Sequence, residues 1–272
     1  MIGQRLVNGV DSSSVSAEDR GLQYGDGLFE TMLAEGGSIR HFDRHMQRLA
    51  EGCARLGIPL PAPGLLAEDC RKVLQGLDRG VVKLILTRGP GPRGYRPPAE
   101  VTVTRIVTCS AFKARPAESD RLTLRVCETR LGSNPQLAGL KHLNRLEQVL
   151  ACAEWDDPQV AEGLMLSQDG RVVCATAANL FIVRGGRLLT PEIVDCGVAG
   201  IMRGIVLSEA PSLGIDTRAT ALSLDDLGDA DEIFLTSATR GIRSVARIEA
   251  IGEWSSGALA GVLRERLGPQ VS

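Results

Sequence analysis

Only four of the 31 basic residues are lysines, at positions 72, 83, 113 and 141, so each one is conspicuous. Lys141 lies in LAGLKHLNRLEQVL, with small and apolar residues before it and a helix start expected just after it. Partial burial and the positive end of a helix both disfavour the ammonium and push a lysine toward the free amine. A free amine there is a nucleophile that forms a Schiff base with a carbonyl. A surface lysine beside a helix cap is the other reading of the same window.

Other features are suited to anions. Cys196-Gly-Val-Ala-Gly-Ile-Met-Arg203 sets glycines directly before a helical pattern, so the N–H groups of Ile201 and Met202, after Gly200, are placed to meet a phosphate. The same spacing also fits a plain turn. Ser237, Ala238 and Thr239 follow an expected strand and offer further donors. Arg48, off the apolar stripe of a helix, reads as a phosphate clamp or as a solvated arginine. The stretch Arg88–Pro98, RGPGPRGYRPP, has seven Gly or Pro among eleven residues and carries three arginines, so it is a loop that invites explanation. His41, His45 and His142 make no metal set, since no HExxH surrounds them, and no GxSxG elbow marks a hydrolytic triad.

These residues need a scaffold. With 272 residues and a prior of roughly 150 per domain, two modest domains or one large one are expected. Apolar residues at 43% and charged residues at 24% fit a globular chain. A net charge of −2 and only 3% aromatics argue against a nucleic-acid surface. Seven cysteines without CxxC spacing argue against a disulfide framework or a zinc site and for a reducing cytosol. No apolar run approaches the roughly 18 residues that span a bilayer, and MIGQRLVNGVDSS has no signal-peptide core.

Apolar steps of 4, 3, 4 and 3 through Phe42, Met46, Leu49, Cys53 and Leu56 predict a helix over 39–57, and LLAEDCRKVLQGL a second over 65–77. Branched residues predict strands at 81–87, 101–108 and 122–128. Asn144 with Glu147 three residues on reads as a helix start. Beyond it, strands are expected at 163–167, 179–183, 187–190 and 232–236, and a helix at 201–210. Mixed elements without a fixed period predict α/β or α+β architecture. The expected division is 1–114, a linker at 115–121, and 122–272.

Taken in order, DRGLQYGDGLFET, HMQRL, RGPGPRGY, LAGLKHLNRLEQVL, AANLF and GIMR resemble the fold-type IV pyridoxal-phosphate enzymes, the family of branched-chain aminotransferases, D-amino-acid aminotransferases and aminodeoxychorismate lyases. The likeness runs from about residue 18 to 245. Within the family, the GRGY-type loop and KHLNRLEQVL most resemble the lyases. The resemblance implies a smaller N-terminal and a larger C-terminal domain with pyridoxal 5'-phosphate between them, and a homodimer. It implies that Lys141 holds the cofactor as a Schiff base. Arg48 would clamp the phosphate, helped by Gly200, Ile201, Met202, Ser237, Ala238 and Thr239. Thr31 would stand beside the reacting centre. Arg93 would grip a carboxylate of a substrate that carries two, with Arg88 and Arg96 in the same loop. Tyr24, Tyr95 and Asn144 would line the pocket.

One position departs from the family pattern. A glutamate that pairs with the cofactor's pyridine nitrogen is expected five residues before the Asn of AANLF, and here that position is Cys174. A neutral thiol offers no fixed negative charge to a pyridinium, so the electron sink weakens. A transaminase depends on that sink; a reaction whose product becomes aromatic as pyruvate leaves has a driving force of its own. The expected activity is therefore cleavage of 4-amino-4-deoxychorismate to 4-aminobenzoate and pyruvate. A D-amino-acid or branched-chain aminotransferase and a catalytically impaired relative are the rivals.

Overall fold

The computed structural model describes residues 2–112, 121–255 and 257–267. Of the expected linker at 115–121, only Arg121 is among them. The chain forms two units, Met1–Lys113 with Leu140–Asn144, and Ala114–Gly139 with Arg145–Ser272.

The first unit contains β1 (Ile2–Val7), β2 (Val10–Asp11), α1 (Arg20–Tyr24), β3 (Gly27–Glu35), β4 (Ser38–Ile39), α2 (Phe42–Leu56), α3 (Pro63–Val73), β5 (Arg79–Thr87) and β6 (Thr104–Ala111). Its antiparallel sheet runs β2-β1-β6-β5-β3-β4. Strand residues alternate between faces, so register decides which side chains share a surface. Leu28, Glu30 and Met32 pair with Leu86, Leu84 and Val82, and all six are buried. Helix α2 covers this face; a Cβ on Gly52 would come within 2.7 Å of Leu28. Each leucine so buried contributes about 1.5–3 kcal/mol relative to exposure. Phe29, Thr31 and Lys83 alternate onto the opposite, more open face, with Thr31 paired to Lys83.

Residues 140–144 join this unit by lying along the start of β3. Phe29 N–H donates to Lys141 O at 2.9 Å, and Leu143 N–H donates to Gly27 O at 3.0 Å. The helix start read at Asn144 is corrected here. Helix α4 begins only at Leu146, after Arg145, with no side-chain cap. Asn144 instead donates through Nδ2 to Gly25 O at 3.3 Å, and Glu147 accepts from Gly132 N–H at 2.8 Å. Both side chains of the supposed cap are thus engaged elsewhere.

The second unit contains β7 (Arg121–Leu131), α4 (Leu146–Cys152), β8 (Val160–Ser167), β9 (Val172–Ala175), β10 (Asn179–Arg184), β11 (Arg187–Pro191), α5 (Ile201–Glu209), a 3-10 turn at Ala210–Leu213, β12 (Thr217–Thr220), α6 (Leu224–Gly228), β13 (Glu232–Ser237), β14 (Gly241–Ile248), β15 (Gly252–Glu253) and α7 (Ala258–Arg266). The strands form one mixed sheet, β12-β11-β10-β13-β14-β7-β8-β9, with β15 on β14. The central runs Leu180–Val183 and Ile233–Leu235 are apolar throughout because both faces are covered. Leu180 and Ile182 join a cluster with Leu164, Ile233 and Leu235. Phe181 faces the other way, stacked on Phe234 with centroids 5.2 Å apart, among residues of α5 and α7. Glu232 holds α7 in place by accepting from Leu259 N–H at 3.1 Å and Ala260 N–H at 2.8 Å, which satisfies donors a helix start leaves open.

Candidate active site

In the first unit the backbone of 140–144 sets Lys141 beside β3. Its ammonium lies 4.3 Å from the centroid of the Phe29 ring. Lys83 approaches the same ring at 5.2 Å. Thr31, two residues from Phe29 on the same face and paired to Lys83, completes a patch with two amines and a hydroxyl. Lys83 was not singled out in the sequence; only the β3–β5 register brings it to Lys141's ring.

Arg48, one turn beyond His45 on α2, meets β3 from the covered side. Its Nε donates to Glu30 Oε1 at 2.8 Å and its Nη2 donates to Oε2, which also contacts His45 Nδ1 at 2.6 Å. Burial raises the Glu30 carboxyl, but the hydrogen bonds of His45 and Arg48 and the charge of Arg48 outweigh it and hold the group below the usual carboxylate range.

The arginine-bearing loop is tied down by residues outside it. Asp26 accepts from Arg88 Nε at 2.7 Å and from Arg20 Nε at 2.9 Å. Arg88 also donates to Leu56 O and Gly57 O at 2.8 and 2.7 Å, a cation on the carbonyl end of α2. Arg20 reaches Gly94 O and Tyr95 O at 2.8 and 2.9 Å. Arg88 is therefore occupied in the fold, which removes it from the substrate candidates, whereas Arg93 and Arg96 are exposed. Tyr24 accepts from Gly94 N–H at 3.1 Å and packs edge-on against Tyr95, centroids 5.4 Å apart. Tyr95 itself is 85% exposed.

In the second unit the anion turns gather at one end of the sheet. Asn179, first in β10, pairs with Thr236 at the end of β13, so the turn Ser237–Thr239 lies at the end where β10 starts. Gly200 is the N-cap of α5 and supplies no capping side chain. A Cβ there would come within 2.0 Å of Asn179 Oδ1, while Asn179 Nδ2 donates to Val198 O at 2.9 Å. The glycine is thus a packing requirement, and it leaves the first N–H groups of α5, those of Ile201 and Met202, without a side-chain cap. Cys174 in β9 is buried with Met165, Val173 and Cys196. Burial, with the neighbouring Cys196, pushes its thiol up to about 12, although Arg145 works in the opposite direction. It is a neutral group at any ordinary pH.

In the first unit an amine lies on an aromatic ring of a strand whose other face carries a carboxylate paired with an arginine, the amine suited to a carbonyl and the arginine to an anion; in the second unit an uncapped helix start is suited to an anion. Among the described residues no group of three or more His, Cys, Asp or Glu side chains could hold a metal.

Residues 27–248 match the amino-transferase class IV family. The chain is 36% identical to aminodeoxychorismate lyase of Vibrio harveyi over 249 residues, covering 90% of this chain and 91% of that one. It is 32% identical to a putative branched-chain-amino-acid aminotransferase of Methanocaldococcus jannaschii, covering 87% and 83%. The crystal structure of 4-amino-4-deoxychorismate lyase from Pseudomonas aeruginosa superposes with a TM-score of 0.92 at 44% identity, covering 97% of both chains. The chain, with its lysine, its glycine-started helix and its two α/β units, belongs to the amino-transferase class IV family.

Proposed function

We propose that the protein is a lyase that converts 4-amino-4-deoxychorismate to 4-aminobenzoate and pyruvate with pyridoxal 5'-phosphate as cofactor. The observation that carries this reading is the full-length likeness to two such lyases, at 36% and 44% identity. The neutral Cys174, at the position where the family pattern has an acid, points the same way.

Lys141 would hold the cofactor covalently through Nζ. Arg48, the N–H groups of Ile201 and Met202, and the turn Ser237–Thr239 would hold its phosphate. When bound, the cofactor supplies a carbonyl for the substrate amine and a conjugated ring that delocalises the electron pair released at the neighbouring carbon. Lys141 Nζ, when uncharged, would take the proton from the substrate carbon bearing nitrogen. The ether bond to the enolpyruvyl group then breaks, and the six-membered ring becomes aromatic. Lys141 Nζ or the Thr31 hydroxyl returns a proton to the departing group. Arg93, with Lys83 on the Phe29 face, would meet the two carboxylates, while Tyr24, Tyr95 and Asn144 shape the loop around them.

The reading includes a homodimer and a cytosolic setting. The free cysteines, most of them buried, support the latter. Among the described residues no helix is long and apolar enough to cross a membrane. The 32% likeness to a branched-chain aminotransferase keeps transamination as the second reading, and single-turnover reaction with D-alanine or leucine separates the two.

The test is direct. Purified protein is expected to be yellow, to lose its visible band on borohydride reduction, and to carry the reduced cofactor on the peptide containing Lys141. Lys141→Ala is expected to lose both the band and 4-aminobenzoate formation; turnover retained in that variant would overturn the scheme.

A further inference from the structure

Asn179 is a polar residue on an apolar strand face. It opens β10, is 7% exposed, and alternates onto the side of Phe181 and Val183, which pack among residues of α5 and α7. A buried amide costs free energy unless it is hydrogen-bonded, so packing alone would favour an apolar residue at this position.

The amide is engaged with the turn that leads into α5. Its Nδ2 donates to Val198 O at 2.9 Å, and its Oδ1 lies against Gly200, where a Cβ would come within 2.0 Å of it. Gly139 holds the same turn through its backbone, donating to Gly197 O at 3.0 Å and accepting from Ala199 N–H at 3.1 Å. Three successive residues before the helix are thus tied, and the direction in which α5 sets out is fixed with them. Gly204 N–H donates to Gly200 O at 3.0 Å, so the N–H groups of Ile201 and Met202 have no acceptor within the helix, and no side chain caps them. Both residues are buried, a setting in which backbone N–H groups are rarely left unpaired. Thr236 points to the same place independently. It is the cross-strand partner of Asn179, so the two side chains share a face, and it is 1% exposed with no hydrogen-bond partner for Oγ1 among the described residues. Buried donors that the protein itself does not satisfy suit a ligand rich in acceptor oxygens.

We propose that Asn179 is a positioning residue for phosphate binding: by tying Val198 and packing on Gly200 it fixes the start of α5, so that the Ile201 and Met202 N–H groups are held ready for the cofactor's phosphate. The inference rests on the proposed function, in which those groups hold that phosphate. It assigns Asn179 no contact with cofactor or substrate. A cradle fixed before the anion arrives binds it without a further cost of ordering.

The experiment titrates the full-length apo protein with two probes, pyridoxal 5'-phosphate and pyridoxal, which lacks the phosphate, and reads dissociation constants from the absorption of the bound form. Asn179→Ala removes the tether and keeps Gly200. The expected result is an affinity for pyridoxal 5'-phosphate at least about tenfold weaker, with pyridoxal affinity within about twofold of the parent. Gly200→Ala reaches the same turn from the other side, since its Cβ displaces the amide. It is expected to show the same selective loss, and it carries the test if Asn179→Ala does not fold. In the double variant the amide is gone and the new methyl has room, so its affinity is expected to lie within about twofold of Asn179→Ala; fully additive losses would show that Asn179 does not act through Gly200 and would overturn the proposal. Equal weakening of both probes by Asn179→Ala would mark a general structural role and overturn it as well. The parent protein separates the inference from its premise. If the parent binds the phosphorylated probe no more tightly than pyridoxal, the phosphate reading of α5 falls and the proposal with it. If the parent has that preference and Asn179→Ala keeps it in full, only the role of Asn179 falls.

Discussion

In the proposed reading Cys174 is the residue that turns a shared scaffold from transamination toward cleavage. Its thiol is buried against Met165, Val173 and Cys196 and titrates only near 12, so it holds no negative charge for a ring nitrogen. Arg145, close enough to influence that thiol, adds a cation to the neighbourhood. If the cofactor's ring nitrogen lies here as proposed, both features would disfavour a protonated pyridine and act most strongly against transamination, which must store charge in the ring. Installing the acid is the informative change. In Cys174→Glu the new carboxylate would sit near Arg145, which offsets part of its burial cost. Half-transamination with D-alanine or leucine, followed by the loss of the cofactor band, is expected to rise by about tenfold, the effect of roughly 1.4 kcal/mol on the barrier. An unchanged or lower rate in a variant that still binds cofactor would mean that Cys174 does not set the balance between the two reactions.

At the scale of elements, the loop Arg88–Pro98 matters because charged groups tie it at its start, where Arg88 meets Asp26, and in its middle, where Arg20 holds Gly94 O and Tyr95 O. Burial alone would raise the Asp26 carboxyl, but hydrogen bonds and charge from Arg88 and Arg20 outweigh it and hold it below its ordinary value of 3.8. A lowered folded-state value means that the unfolded chain binds the proton more readily, so the stabilisation is complete above the ordinary value and fades as pH falls through the folded one. Asp26→Asn is therefore expected to lower stability at pH 7, by less than the roughly 3–5 kcal/mol of a fully buried broken pair, and the gap to the parent should close below about pH 4. Denaturant unfolding at a series of pH values measures this; a gap independent of pH would assign the loss to packing. The same elements mark what was legible in the sequence. The stripe through Leu49 and Cys53 and the branched runs of β5 and β7 announce themselves because periodicity is a local signal. Strand β3 was missed because Glu30 interrupts its apolar face, and the acid makes sense only once Arg48 and His45 lie across from it. Likewise Arg20, Asp26 and Lys83 gain their roles from pairings 6 to 75 residues apart in the chain or from sheet register. Lys141, Arg48 and the turns at 200 and 237 stand out by residue type and spacing, each with a plain alternative, and the resemblance is what favours the functional reading over that alternative.

For the whole molecule, α4 carries an argument about assembly. Five residues after Lys141, Leu146, Val149 and Leu150 fall at i, i+3 and i+4 on one helical face, and they are 76%, 60% and 60% exposed. A contiguous apolar face of that kind is a common mark of a protein interface, and most soluble oligomers are symmetric assemblies of identical chains. The occupant that suits the proposed homodimer is a second copy of this chain. Light scattering on the holoenzyme is expected to give twice the chain mass, and the double variant Leu146→Glu, Leu150→Glu is expected to give a single chain with parental circular dichroism. Because the helix follows the proposed cofactor lysine so closely in the chain, the monomeric variant should also bind pyridoxal 5'-phosphate more weakly. A dimer that survives both charges would move the interface away from α4; a wild-type monomer with full activity would show that one chain suffices for the reaction.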